Sequence, residues 1–232
     1  HALVARQWRF GRVFLMGDAA HQMPPFLGQG LCAAIRDAVN LVWKLAVDRL
    51  GAATSLLDTY GQERTPHVRT VVAHAKAFGL VIGELDPAAA RRRDARLQAE
   101  LASGQAETVR QKFIPGLTAG LIDRDAQQAP RAGAGDLFVQ PWVRAGAGMP
   151  FQRLDDLVPP GFLLVAGSAA ALAWLTPADT LLLQRVGGHC LLIAGDAPPP
   201  GDGTPVLVER DRLFTDWLAG TGARLALVRP HR

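Results

Sequence analysis

The stretch from Gly11 to Leu31 sets the tightest limits on what this chain can fold into. Val13 to Met16 is a short apolar run of β-forming type, too brief for a helix and closed by Gly17. It is expected to be a buried strand, with Asp18 just past its carboxyl end, where open α/β sheets place their ligands. Pro24 and Pro25 stiffen the following loop and take two backbone donors out of it. Gly28 and Gly30 let the backbone come close to something flat or charged. A long apolar helix is predicted from Leu31, so free amides and a positive dipole end point back toward Asp18. A carboxylate that accepts from hydroxyls, beside a helix start that favours negative charge, suits a polyol-bearing, electron-accepting cofactor.

That helix is predicted to run from Leu31 to Leu50 and stop at Gly51. Leu31, Ala34, Ile35, Ala38, Leu41, Val42 and Leu45 recur at helical spacing, with Arg36, Asn40, Lys44 and Asp48 on another face. The apolar set is expected to be the packed one, with Asp37 and Asn40 as polar groups in the packing. Ser55 to Arg64 reads as a second helix, and Thr65-Pro66 as the restart of a third that continues to Leu85. His67 and His74 fall in that third helix, with no partner at metal-ligand spacing. Asp86-Pro87 breaks the pattern, and Ala88 to Phe113 reads as a more polar helix. The basic run Arg91-Arg92-Arg93 belongs there and is expected to be a solvated face; no nucleic-acid module accompanies it.

Residues 114–135 turn to Gly, Pro, Ala, Gln and Asp and read as a linker. From 136 to 232, apolar runs alternate with helical ones. Strands are predicted at Phe162–Ala166, Cys190–Ala194, Pro205–Glu209 and Arg224–Val228. Helices fall between them at Ser168–Leu175, Thr176–Val186 and Arg212–Ala219, and a turn at Pro198–Gly203. This alternation is that of an α/β layer fold. The chain has two cysteines, Cys32 and Cys190, far apart and without a CxxC, so a reducing cytoplasm is the expectation. Cys190, within a strand, is expected to be inert packing. No apolar run is long enough for a bilayer, and no metal or membrane partner is expected. The net charge of +4 rests on arginine, since lysine occurs only at Lys44, Lys76 and Lys112. Such a charge attracts anionic substrates weakly and in a salt-dependent way.

The motif resembles the second flavin motif of the FAD-dependent aromatic hydroxylases. The matching residues are Gly17-Asp18-Ala19-Ala20-His21, Pro24-Pro25, Gly28-Gln29-Gly30, Asp37, Asn40-Leu41 and Trp43-Lys44-Leu45-Ala46. They continue through Leu57-Asp58-Thr59-Tyr60 and Glu63-Arg64-Thr65-Pro66-His67. The resemblance is strongest to the branch acting on 3-(3-hydroxyphenyl)propionate, which carries an additional thioredoxin-like domain. It implies an α/β chain: residues 1–113 as the C-terminal part of an FAD-binding domain, and 136–232 as a thioredoxin-like domain without CxxC. It also implies FAD as cofactor and NAD(P)H as reductant, with ortho-hydroxylation of a phenol by O2 through a C4a-hydroperoxyflavin. A homodimer is left open.

In that frame Asp18 accepts a hydrogen bond from the ribityl chain; the competing reading is a carboxylate that caps its own turn. Gly28, Gln29, Gly30, Leu31 and Cys32 present backbone groups to the pyrimidine side of the isoalloxazine. The family often has Asn where Cys32 stands; a backbone role would leave that change silent, and a side-chain role would alter redox tuning. Pro25 lies over the flavin ring near the site of oxygen activation, or serves only to stiffen the loop. Phe26 and Leu27 wall the substrate space. His21 is expected to stabilise the turn and not to act as a base. No glycine-rich dinucleotide motif precedes Gly17, so the chain is expected to be part of a longer enzyme, and alone to bind flavin poorly or not at all and lack activity. The rivals are a flavin hydroxylase that tailors polyketides or modifies antibiotics, and a non-catalytic interaction or dimerisation module.

Overall fold

The computed structural model describes residues 1–104, 116–193 and 203–230. Outside them lie the end of the helix expected to reach Phe113, the first two linker positions, Ala194, and most of the Pro198–Gly203 turn. The chain divides into two compact units, His1–Lys44 with Ala53–Ile122, and Leu45–Ala52 with Asp123–Arg232.

The first unit contains four two-residue strands, β1 (Leu3–Val4), β2 (Arg9–Phe10), β3 (Val13–Phe14) and β4 (His21–Gln22). β1 pairs antiparallel with β4, and β2 with β3 across a turn where Gly11 takes φ +60°. The Val13–Met16 run is therefore not a buried strand. Its strand has a single neighbour and no second layer, which leaves Val13 62% exposed. The core lies behind these ribbons: Trp8, Ala20, Leu41, Tyr60, Val68 and Val72. The Trp8 ring meets Tyr60 edge-on at 5.6 Å, and Tyr60 Oη donates to Leu15 O at 2.9 Å.

Three helices follow, α1 (Gly30–Arg49), α2 (Thr59–Ile82) and α3 (Pro87–Ala102). α1 stops as expected, with Gly51 at φ +89°, and Leu41, Asp37 and Asn40 pack inward as expected, but most of the apolar stripe does not. Ala33, Asp37, Asn40, Leu41, Trp43 and Lys44 are buried, while Leu31, Ile35, Val39 and Val42 are exposed. The reason is charge pairing: Asp37, Asn40 and Lys44 share one face and meet complementary groups on α2. α2 also runs unbroken through Pro66, where a restart was expected. Tyr60, Glu63, Arg64, His67, Val68, Val71, Val72 and Ala75 form one continuous buried face, so packing on both sides of Pro66 outweighs the single helix bond it forfeits. α3 begins at Pro87 because the Asp86 carboxylate accepts from the amides of Ala88 and Ala89. Arg91 and Arg92 are exposed on it, as a solvated face requires.

The second unit is a six-stranded mixed sheet in the order β10-β7-β8-β9-β5-β6. Its strands are β5 (Trp142–Arg144), β6 (Gln152–Arg153), β7 (Leu163–Ala166), β8 (His189–Ile193), β9 (Val206–Glu209) and β10 (Leu225–Val228). β7, β8 and β9 are parallel; the others join antiparallel. The helices are α4 (Leu154–Leu157), α5 (Ala169–Leu172), α6 (Pro177–Arg185) and α7 (Leu213–Thr221). Every residue of β7 is buried, as the apolar run required, and α6 opens on a capping box between Thr176 and Asp179. Val143, Leu163, Val165, Leu191 and Phe214 centre the core. β5, β6 and α4 were not predicted; they are too short to show periodicity. The α/β class expected of this half holds.

Candidate functional site

Gly17–Ala19 is a single 3-10 turn. Gly17 is buried at φ +56°, and a Cβ there would come within 3.2 Å of Ala34 Cβ on α1, so both conformation and contact demand glycine. Its amide donates to Asp37 Oδ2 at 3.1 Å, and Ala20 N closes the turn on Gly17 O. Asp18 is exposed, and its carboxylate has no partner among the described residues; it does not cap its own turn. Asp37 does that work from α1, seven residues in, or about 10 Å from the helix start.

Pro25–Leu27 forms a second 3-10 turn, ended by Gly28 at φ +61° with its amide on Pro25 O. Pro25 is exposed and Leu27 half-buried. The Phe26 ring lies so close over Gly79 of α2 that a Cβ there would sit 2.4 Å from it, which fixes one face of the ring. Gln29 caps α1 through its carbonyl, which accepts from Ala33 N at 2.8 Å. The amides of Gly30, Leu31 and Cys32 then have no acceptor among the described residues. The Cys32 thiol is free and exposed. Around Gly28 and Gly30 an added Cβ would meet nothing within 4 Å, so the backbone is open to an approaching group.

Beneath the two turns lies a buried charge network. Asp37 accepts from Gly17 N, from His21 Nε2 at 2.7 Å and from Arg64 Nε at 2.8 Å. Arg64 also bonds His67 Nδ1 and reaches Ala33 O. Burial pushes the Asp37 carboxyl up, but the His21 bond, the Arg64 charge and the Gly17 amide outweigh it and hold it below the ordinary carboxylate value. Burial, reinforced by the Asp37 charge, raises the Tyr60 phenol well above its ordinary value. One turn along, Glu63 Oε2 accepts from Lys44 Nζ and Asn40 Nδ2, both at 2.7 Å, and Oε1 from Leu121 N at 3.0 Å. The sequence reading gave His21 its turn-stabilising role but missed Arg64, Glu63 and Lys44 as members. The signal was the i, i+3, i+7 spacing of Asp37, Asn40 and Lys44, which puts three polar groups on one stripe.

A family model described as an FAD binding domain matches residues 1–75, and one described as the HcaD C-terminal domain matches residues 135–232. A probable NADH-specific resorcinol 4-hydroxylase of Rhodococcus jostii is 36% identical over 228 residues, 98% of this chain and 40% of the relative. A 3-(3-hydroxy-phenyl)propionate/3-hydroxycinnamic acid hydroxylase of Burkholderia vietnamiensis is 31% identical over 245 residues, 100% of this chain and 44% of the relative. The solved structure of aklavinone-11 hydroxylase with FAD and aklavinone is 27% identical with a TM-score of 0.66, over 99% of this chain and 40% of that one. The chain thus spans less than half the length of these proteins. With the anchored turn and open helix start in place, the chain belongs to the FAD-dependent aromatic hydroxylases. No helix among the described residues is long and apolar enough to cross a membrane.

Proposed function

We propose that residues 1–113 serve as the flavin-facing part of a monooxygenase that uses FAD and NADH or NADPH to hydroxylate a phenolic ring. In the same reading residues 114–135 connect this part to a thioredoxin-like accessory unit at 136–232. One observation carries it: among the described residues the Asp18 carboxylate and the amides of Gly30, Leu31 and Cys32 have no partner, and the Asp18 turn is tied to the helix those amides open. The donor set fits the cofactor. Asp18 supplies an acceptor for a ribityl hydroxyl, and the amides with the positive end of α1 stabilise negative charge at the pyrimidine edge of the ring. When bound, the flavin supplies hydride acceptance from the nicotinamide and transfer of activated oxygen to the phenol. Pro25 would stand against the bound ring, and Phe26, which lies close over Gly79, would wall the substrate side with Leu27.

In the native gene product, Asp18→Ala is expected to lower FAD affinity about ten-fold or more, since a hydrogen bond to a charged group is worth about 1.5–3 kcal/mol. Substrate-stimulated oxygen uptake with a dihydroxylated product is expected when a phenol, FAD and NAD(P)H are supplied. A gene product whose flavin content ignores Asp18, or that hydroxylates no phenol, overturns the proposal. The likeness to aklavinone-11 hydroxylase favours a second reading, tailoring of a polycyclic aromatic product. Turnover of a polycyclic phenol in preference to resorcinol or a hydroxyphenylpropionate would select it.

A further inference from the structure

The second unit has a cleft of about 690 Å³ that the flavin reading does not use. It opens where four strand ends meet. Ser168 lies two residues past β7, Ile193 ends β8, Glu209 ends β9, and Arg224 immediately precedes the antiparallel β10. Carboxyl ends of parallel strands are where open α/β sheets bind ligands, and the volume is that of small-molecule pockets, about 300–1,000 Å³.

Its chemistry narrows the occupant. The Arg224 guanidinium lies over the Trp174 ring at 4.5 Å and has no carboxylate partner among the described residues. A guanidinium placed over an aromatic ring keeps N–H donors free for a planar anion. The Glu209 carboxylate is held at the start of α7, where it accepts from Phe214 N, Thr215 N and Thr215 Oγ1, and no ion pair joins it to Arg224 among the described residues. The second arginine, Arg212, is paired with Asp216 at 3.3 Å. Among the described residues, Arg224 is thus the charged side chain of the cleft that is not held by a hydrogen bond or an ion pair. Ser168 Oγ accepts from Ala171 N and keeps its hydrogen to donate. Ala171, Ile193 and Leu218 supply an apolar wall. Among the described residues, no histidine or cysteine lines the cleft.

We propose that this cleft is a binding site, separate from the flavin-facing turn, for a small organic carboxylate with a flat apolar body. The carboxylate lies on the open edge of Arg224 and the body on the Trp174 and Leu218 side. The site binds and does not react. It is independent of the monooxygenase reading, because none of its residues belongs to the first unit.

Calorimetric titration of the intact chain with benzoate tests it, with benzamide as the neutral counterpart. The expected result is saturable benzoate binding at about 1 mM or tighter, with benzamide at least about ten-fold weaker. Arg224→Gln is expected to weaken benzoate about ten-fold and Arg224→Glu to abolish binding. Both Arg224 and Trp174 are exposed, so the variants are expected to melt as the wild type does. Asp18→Asn is expected to leave benzoate binding unchanged. Absence of binding, equal binding of benzamide, or sensitivity to Asp18→Asn without sensitivity to Arg224→Gln would each overturn the proposal.

Discussion

Replacing Lys44 by Met is expected to destabilise the first unit by about 3–5 kcal/mol, read as a large drop in its urea-unfolding midpoint. Both members of the Lys44–Glu63 pair are fully buried, so the variant leaves a carboxylate in the interior with its counter-charge gone. Loss of one member of such a pair costs about that much, because the remaining charge keeps its desolvation penalty. The pair itself is not a large net stabiliser, and Lys44→Met with Glu63→Leu is expected to recover much of the loss. Glu63 has a further duty: it accepts from Leu121 N and holds Gly120 so close that a Cβ there would sit 2.2 Å from its Cγ. Recovery in the double variant is therefore expected to be partial. A single variant within about 1 kcal/mol of wild type would contradict the buried pairing.

Asp37→Asn is expected to have an effect of similar size, about 3 kcal/mol or more, and to reach the Asp18 turn as well. An amide cannot accept on both sides, so it faces Gly17 N, His21 or Arg64 with a donor, and Arg64 loses its buried counter-charge. The pH dependence has a definite sign. The folded carboxyl lies below its unfolded value of 3.8, so Asp37 contributes stability above that value and loses it as pH falls through the lower folded value. Wild-type stability is expected to fall across that acid window, and the fall to be shallower in Asp37→Asn. Unfolding curves collected from neutral pH down through the window below 3.8 decide it; an equal acid loss in both proteins would remove Asp37 from its central place.

Glycine and cap chemistry made much of the fold legible in advance. Gly51 stops α1, Asp86-Pro87 starts α3, and Thr176, Pro177 and Asp179 start α6, each through a local rule that does not depend on the rest of the molecule. Gly17 and Gly28 marked the two turns because both adopt positive φ. Hydrophobic periodicity held only in part on α1, where Leu41 is buried but Leu31, Ile35 and Val42 are exposed. It assumes that polar groups seek water, whereas Asp37, Asn40 and Lys44 are neutralised by partners on α2 and turn inward, leaving Leu31 and Val42 outside. Those partners lie 19 to 27 residues away, beyond any window that reads local pattern. Pro66 misled for a related reason: one continuous packed face overrides a local breaker. The turn at Gly17 could be read from the motif, but the residue that fixes it, Asp37, could not.

The most direct test of the flavin-facing reading is an amide chemical-shift titration of the intact chain with FAD, which detects weak as well as tight association. The expected result is saturable movement of the Gly28, Gly30, Leu31 and Cys32 resonances, lost in Asp18→Ala. Shifts that bypass those amides, or that persist unchanged in Asp18→Ala, would contradict it.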